Sequence, residues 1–109
     1  RLLLGPFCGR PACQHIPISP GSPGVCAAAF LHRAPLLVPD VRAFPGHIAC
    51  DADTRSELVL PLLLTPPGQD DLLCVGVLDL DCLCAGAFDD VDRDALERIA
   101  RLIVDACDW

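Results

Sequence analysis

The stretch SELVLPLLLTPPGQDDLLCVGVLDLDC, from Ser56 to Cys82, decides the fold. Its two apolar runs, 56–64 and 73–82, flank Thr65-Pro66-Pro67-Gly68-Gln69-Asp70-Asp71, a segment of hairpin length with strong turn chemistry. Side chains alternate between the faces of a strand, so Val75, Val77, Asp79 and Asp81 are expected on one face. Folding the first run back on the second brings Glu57 level with residues 79 to 81. One register sets Glu57 on the face of both aspartates, within about 4.5–5.5 Å (Cβ to Cβ) of the one opposite. Three acids that close raise at least one pKa, leaving a carboxylic acid able to donate a proton near neutral pH. The same cluster attracts an ammonium group. The competing reading is that the strand ends leave the core and the acids are solvated.

Beyond the hairpin, Asp89-Asp90-Val91-Asp92 opens a helix with acids at its positive end. Leu96, Ile99, Ile103 and Ala106 follow at helical spacing, with Leu102 widening the stripe. Before the hairpin, Leu2–Leu4 and Ala12–Ile18 read as two strands around a turn. Residues 19–24 read as a loop, and Val25–Ala34 as a short helix capped by Ser22, with Pro23 in its first turn and Pro35 closing it. Leu36–Val41 is a candidate strand. Residues 42–55 form a loop holding His47, Cys50 and Asp51. Helices mixed with hairpin-linked strands give one α+β domain over residues 1–109, a mostly antiparallel central sheet flanked by helices. Arg1-Leu2-Leu3-Leu4 reads as the tail of a strand already under way, so an N-terminal part is expected to be missing.

The 109 residues suffice for one domain, and the 52% hydrophobic content for a compact core. A formal charge of -7 repels phosphate backbones, and no basic stripe supports nucleic-acid binding. No segment approaches the roughly 20 apolar residues that span a bilayer, so no membrane partner is expected. With no leader visible, the eight cysteines suit a cytoplasmic chain with mixed buried and reactive thiols better than a secreted disulfide framework.

Cys50 sits in a loop leading into the strand of Glu57, well placed to attack a group the acids hold. His47, three residues earlier, is positioned to stabilise a thiolate or orient a group. Cys26 stands at a helix start, where a thiol pKa tends to fall. Each also has a plain structural reading: a buried small hydrophobe, or a hydrogen-bonding histidine. Cys74, Cys82 and Cys107 are expected to pack. No cysteine pair has zinc-knuckle spacing and no histidine pair complements them, so no metal site is expected. A cysteine–histidine hydrolase is disfavoured, since clustered acids oppose the oxyanion it must stabilise.

Leu4-Gly5-Pro6-Phe7, Pro11-Ala12-Cys13, Gly24-Val25-Cys26, Val38-Pro39-Asp40-Val41, Pro45-Gly46-His47-Ile48-Ala49-Cys50-Asp51, Ser56-Glu57 and Leu78-Asp79-Leu80-Asp81 occur in this order. In these motifs the chain resembles the GAF-domain free methionine-(R)-sulfoxide reductases. The resemblance implies a GAF-like fold and reduction of free L-methionine-(R)-sulfoxide with no bound cofactor. It makes Cys50 the attacking thiol, Cys13 the resolving thiol and Cys26 an auxiliary one. Glu57 becomes the acid that protonates the sulfoxide oxygen, and Glu57, Asp79, Asp81 and Asp40 the substrate-binding residues. Thioredoxin would be the external reductant, and a homodimer is compatible with it. The alternative is a GAF-type small-ligand or redox-sensing module without turnover. The chain departs from the family in its longer loop before Gly24, in Ala27 after Cys26, and in Cys8. The N-terminal helical region whose aromatics cover the substrate's methyl group in that family is likewise expected to be missing from this stretch.

Overall fold

In the computed structural model, which describes residues 1–109, the chain runs in the following order. It begins with β1 (Leu2–Leu3), β2 (His15–Ile16), α1 (Val25–His32), β3 (Leu36–Val38) and a 3-10 turn at Val41–Ala43. It continues with β4 (Ser56–Leu64), β5 (Leu73–Cys82) and α2 (Asp90–Ala106). Strands β3, β4 and β5 form one antiparallel sheet in that order, and β1 pairs with β2 in a separate antiparallel ribbon. The fold class is the α+β arrangement the sequence indicates.

Alternation along β4 builds two cores, one on each face of the sheet. Leu58, Leu60 and Leu62 are buried against Ala100 and Val104 of α2. Val59 faces the other way and packs with Val25, Cys26, Ala29, Val38 and Val41 beneath α1. Glu57 shares the face of Val59 by parity, which places an acid at the edge of an apolar cluster. Pro61 lies within β4 although it has no N–H to give. Strand β3 pairs only with residues 57–59, so the proline sits beyond that ladder, in an edge-like position.

The hairpin pairs Glu57 with Asp81 and Val59 with Asp79. At its far end the register slips: Leu62 pairs with Gly76 but Leu63 with Cys74, leaving Val75 unpaired. Val75 therefore packs on the α2 side while Val77 packs beneath α1. The expected common face of Val75 with Val77, Asp79 and Asp81 is absent, because a bulge resets the alternation.

Helix α1 is shorter than the expected Val25–Ala34. Arg33 turns left-handed at φ 54°, and the chain leaves the helix before Pro35. Its N-cap is Gly24 rather than Ser22, with no side-chain cap. The Ser22 hydroxyl is already used, accepting from Ser19 N at 2.8 Å and lying 3.0 Å from Ser19 Oγ. Strand β3 also ends early, at Val38, and Asp40 caps the 3-10 turn by accepting from Arg42 N at 3.0 Å.

Helix α2 begins with a reciprocal cap: the Asp89 carboxylate accepts from Asp92 N, and the Asp92 carboxylate from Asp89 N. Its buried face centres on Ala100 and Val104, with Leu96 and Ile103 beside them. At roughly 100° per residue, Ile99 and Leu102 rotate off that face, and both are exposed. No helix is long and apolar enough to cross a membrane.

Candidate active site

The β4–β5 face beneath α1 gathers the acids. Glu57, only 5% exposed, forms the floor, opposite Asp81 and beside Asp79, while both aspartates reach solvent. Cys26, the second residue of α1, hangs over this floor. Its Sγ donates to Asp79 Oδ2 at 3.3 Å and lies 4.0 Å from Glu57 Oε1. From the opposite side, His47 Nε2 stands 3.2 Å from Glu57 Oε2. Side chains from α1, β4, β5 and the 42–55 loop thus converge on one carboxyl group.

The crowding has electrostatic consequences. Burial, then the charges of Asp79 and Asp81, raise the Glu57 pKa well above the ordinary carboxylate range. Asp81 rises to about 6, first through partial desolvation and then through Asp79 and Asp51. The Cys26 thiol is also pushed up, by burial and then by Asp79 and Glu57. This overturns the expectation that its helix-start position would lower its pKa. The helix dipole is a fraction of a charge, whereas three carboxylates and desolvation all oppose the thiolate.

The loop carrying Cys50 is seated on the start of α1. Gly24 has φ 96°, and a Cβ there would stand 3.0 Å from Ile48 Cδ1, so only glycine allows this approach. Cys50 is joined to Cys13 in a disulfide with a Cα–Cα distance of 5.1 Å. Cys13 belongs to the excursion between β1 and β2, so the bond ties that excursion to the site. Arg10 adds a second tie, its Nε and Nη2 donating to the carboxylates of Asp51 and Asp53.

Asp40 is not among the converging acids. Its contacts are the cap of the 3-10 turn and Arg55 Nη2 at 3.8 Å, because the end of β3 at Pro39 carries it away from the sheet face. Of the cysteines expected to pack, Cys74 is buried and Cys82 half-buried, but Cys107 lies exposed past the end of α2. Cys8 and Cys84 are also exposed. One sulfur and two carboxylates, from Cys26, Glu57 and Asp79, lie within 4.8 Å of one another, and these are the atoms able to hold a cation. Sequence reasoning did not single out Arg10 or Asp53. The signal was present as opposite charges flanking the two linked cysteines, but nothing local to either segment says that they meet.

The GAF domain family matches residues 7–106. The chain is 44% identical over 106 residues to a free methionine-R-sulfoxide reductase of Saccharomyces cerevisiae, covering 97% of this chain and 54% of that protein. A free methionine-R-sulfoxide reductase from Neisseria meningitidis, solved in complex with its substrate, superimposes with a TM-score of 0.80 at 38% identity. That likeness covers 94% of this chain and 56% of the other. The fRMsr of Staphylococcus aureus in its reduced form gives a TM-score of 0.78 at 46% identity, over 94% of this chain and 61% of the other. The chain thus spans about half the length of the curated relatives it matches.

Proposed function

This chain belongs to the GAF-domain family, and from that premise we propose that it reduces free L-methionine-(R)-sulfoxide to methionine with its own thiols. The observation that carries this reading is the Cys13–Cys50 disulfide on the loop whose His47 meets the buried Glu57 carboxyl at 3.2 Å. The names of the relatives support the same substrate.

In the proposed cycle the Cys50 thiolate attacks the sulfoxide sulfur. Glu57, kept protonated by burial and its acidic neighbours, gives its proton to the sulfoxide oxygen as negative charge develops there. Oxygen passes to the Cys50 sulfur as sulfenic acid, and methionine leaves. The Cys13 thiol then displaces that oxygen as water and forms the disulfide. An external dithiol, thioredoxin in this proposal, restores both thiols with two electrons and two protons.

Asp79 and Asp81 face the solvent mouth, so a free amino acid meets them through its ammonium group. A pKa of about 6 leaves Asp81 largely ionised at neutral pH. A methionine within a peptide lacks that ammonium, which is the basis of selectivity for the free amino acid. Cys26 stays a neutral thiol next to these carboxylates, which suits a positioning role better than attack.

The test is to incubate the protein with free L-methionine-(R)-sulfoxide and a dithiol and compare methionine release with Cys50→Ser. Release from the parent that disappears in the variant is expected. A parent that forms and breaks the disulfide but releases no methionine refutes turnover and leaves a redox-responsive module.

A further inference from the structure

The segment from Gly5 to Cys13 is held in an unusual way. None of residues 5–13 makes a backbone–backbone hydrogen bond, and the last tie on the β1 side is Leu4 N to Gln14 O at 3.0 Å. Beyond the disulfide itself, the polar ties of this segment to the Cys50 loop run through Arg10 alone. One acceptor is pre-set: Asp51 Oδ1 also accepts from Asp53 N at 3.0 Å, which holds the Asp51 carboxylate beside Cys50. A planar guanidinium presents its donors as a rigid fork, so one side chain can bridge two acids at once.

We infer that Arg10 is the positioning residue for disulfide closure: by pairing with Asp51 and Asp53 it keeps Cys13 within reach of Cys50 when the two are not bonded. Once the disulfide is reduced, a segment without backbone hydrogen bonds drifts away unless another tie remains. Arg10 is three residues before Cys13, and its partners are one and three residues after Cys50. The ion pair therefore fixes both ends of a short path between the two sulfurs. Closure is an encounter of two chain-linked groups, and restricting their relative motion raises the effective concentration of one at the other. In the step concerned, the Cys50 sulfenic S–O bond breaks and the S–S bond forms. Water departs with the Cys13 thiol proton.

This inference takes the place of closure in the cycle from the proposed function, but its test does not depend on it. The whole chain is titrated with reduced and oxidised glutathione, which supplies the oxidant, and the Cys13–Cys50 link is followed by peptide mapping. Arg10→Ala is expected to lower the closing constant about three- to tenfold, a modest effect because the ion pairs are exposed. Arg10→Lys restores part of the loss, and about 0.5 M salt erases the difference between parent and Arg10→Ala. After one equivalent of hydrogen peroxide, dimedone traps more Cys50 sulfenic acid in Arg10→Ala than in the parent. Equal closing constants and equal trapping in parent and variant overturn the inference. So does an undiminished Arg10→Ala effect in an Asp51→Asn/Asp53→Asn background, since the residue would then act through other contacts. A shifted glutathione titration in a protein that releases no methionine refutes the reductase reading and leaves the positioning role standing.

Discussion

Glu57 and Leu58 are consecutive residues of β4, at 5% and 0% exposure, yet they meet opposite surroundings. Leu58 enters a cluster of leucines, Ala100 and Val104, where burying each large side chain contributes roughly 1.5–3 kcal/mol. Glu57 enters a group made of Cys26, His47, Asp79 and Asp81, where burial opposes ionisation. The difference is one step of strand alternation. A hairpin with one face filled by α2 has its stability secured there, which leaves the other face free to hold groups whose burial is costly. Destabilised, like-charged side chains are then tolerated where chemistry uses them.

Replacing the central acid tests that division most strongly. Glu57→Gln keeps the shape and removes the proposed proton donor, so methionine release is expected to fall by about 10²–10⁴-fold. Stability should move the other way. The folded-state pKa of Glu57 lies above its unfolded value, so the folded chain binds the extra proton. The stability this contributes is complete below the unfolded pKa and fades as pH rises toward the folded one. Glutamine has no such dependence, so urea midpoints of the variant should gain on the parent as pH climbs from about 4 toward neutrality. A variant that is both inactive and less stable at pH 7 would mean that Glu57 is a structural member of the core.

The matching change on the other face is Leu60→Ala. Leu60 is fully buried in the middle strand against α2, and the truncation should cost about 2–5 kcal/mol in urea denaturation. Below the lowered unfolding transition, the glutathione equilibrium of Cys13 and Cys50 should match that of the parent. An altered equilibrium in well-folded Leu60→Ala would show that the two faces are coupled through the sheet.

How much of this arrangement is legible in the sequence depends on whether the cause is local. The hairpin bounds follow from turn chemistry and alternation, both written in consecutive residues, but the pairing of Glu57 opposite Asp81 rests on the bulge, since an unbroken ladder from Leu64 and Leu73 would set Glu57 opposite Leu80. The start of α2 is equally local, since Asp89 and Asp92 cap each other. The bulge at Val75 is not, because the alternating pattern continues through it unmarked. The failure of Ser22 to cap α1 reflects competition with Ser19, which a capping pattern does not contain. The helical spacing predicts an apolar stripe through Ile99 and Leu102, yet only the arc around Ala100 and Val104 meets β4, and the sequence does not say which arc that is. The raised Cys26 pKa and the bridge from Arg10 to Asp51 and Asp53 arise from groups 31 to 53 residues apart. The family resemblance points to Cys13, Cys26 and Cys50, whereas the place of Arg10 emerges only in the folded chain.

The finest test of the comparison lies at the open edge of the acid face. Asp81 titrates near 6 in the folded chain, above an unfolded value of about 4. The folded state therefore holds a proton that the unfolded state has lost between those values, and stability declines as pH rises through that window. Asp81→Asn removes this decline. Because Asp81 is exposed and its charge is screened, the gain at pH 7 should be under about 1 kcal/mol, and it should shrink with added salt. The partner carboxyl should respond as well. With one neighbouring charge gone, the Glu57 pKa should fall, and the alkaline limit of methionine release should move to lower pH. A variant whose stability profile between pH 4 and 6 matches the parent, with no shift in that limit, would show that Asp81 is a solvated strand end and that the costly part of this face is confined to Glu57, Cys26 and Asp79.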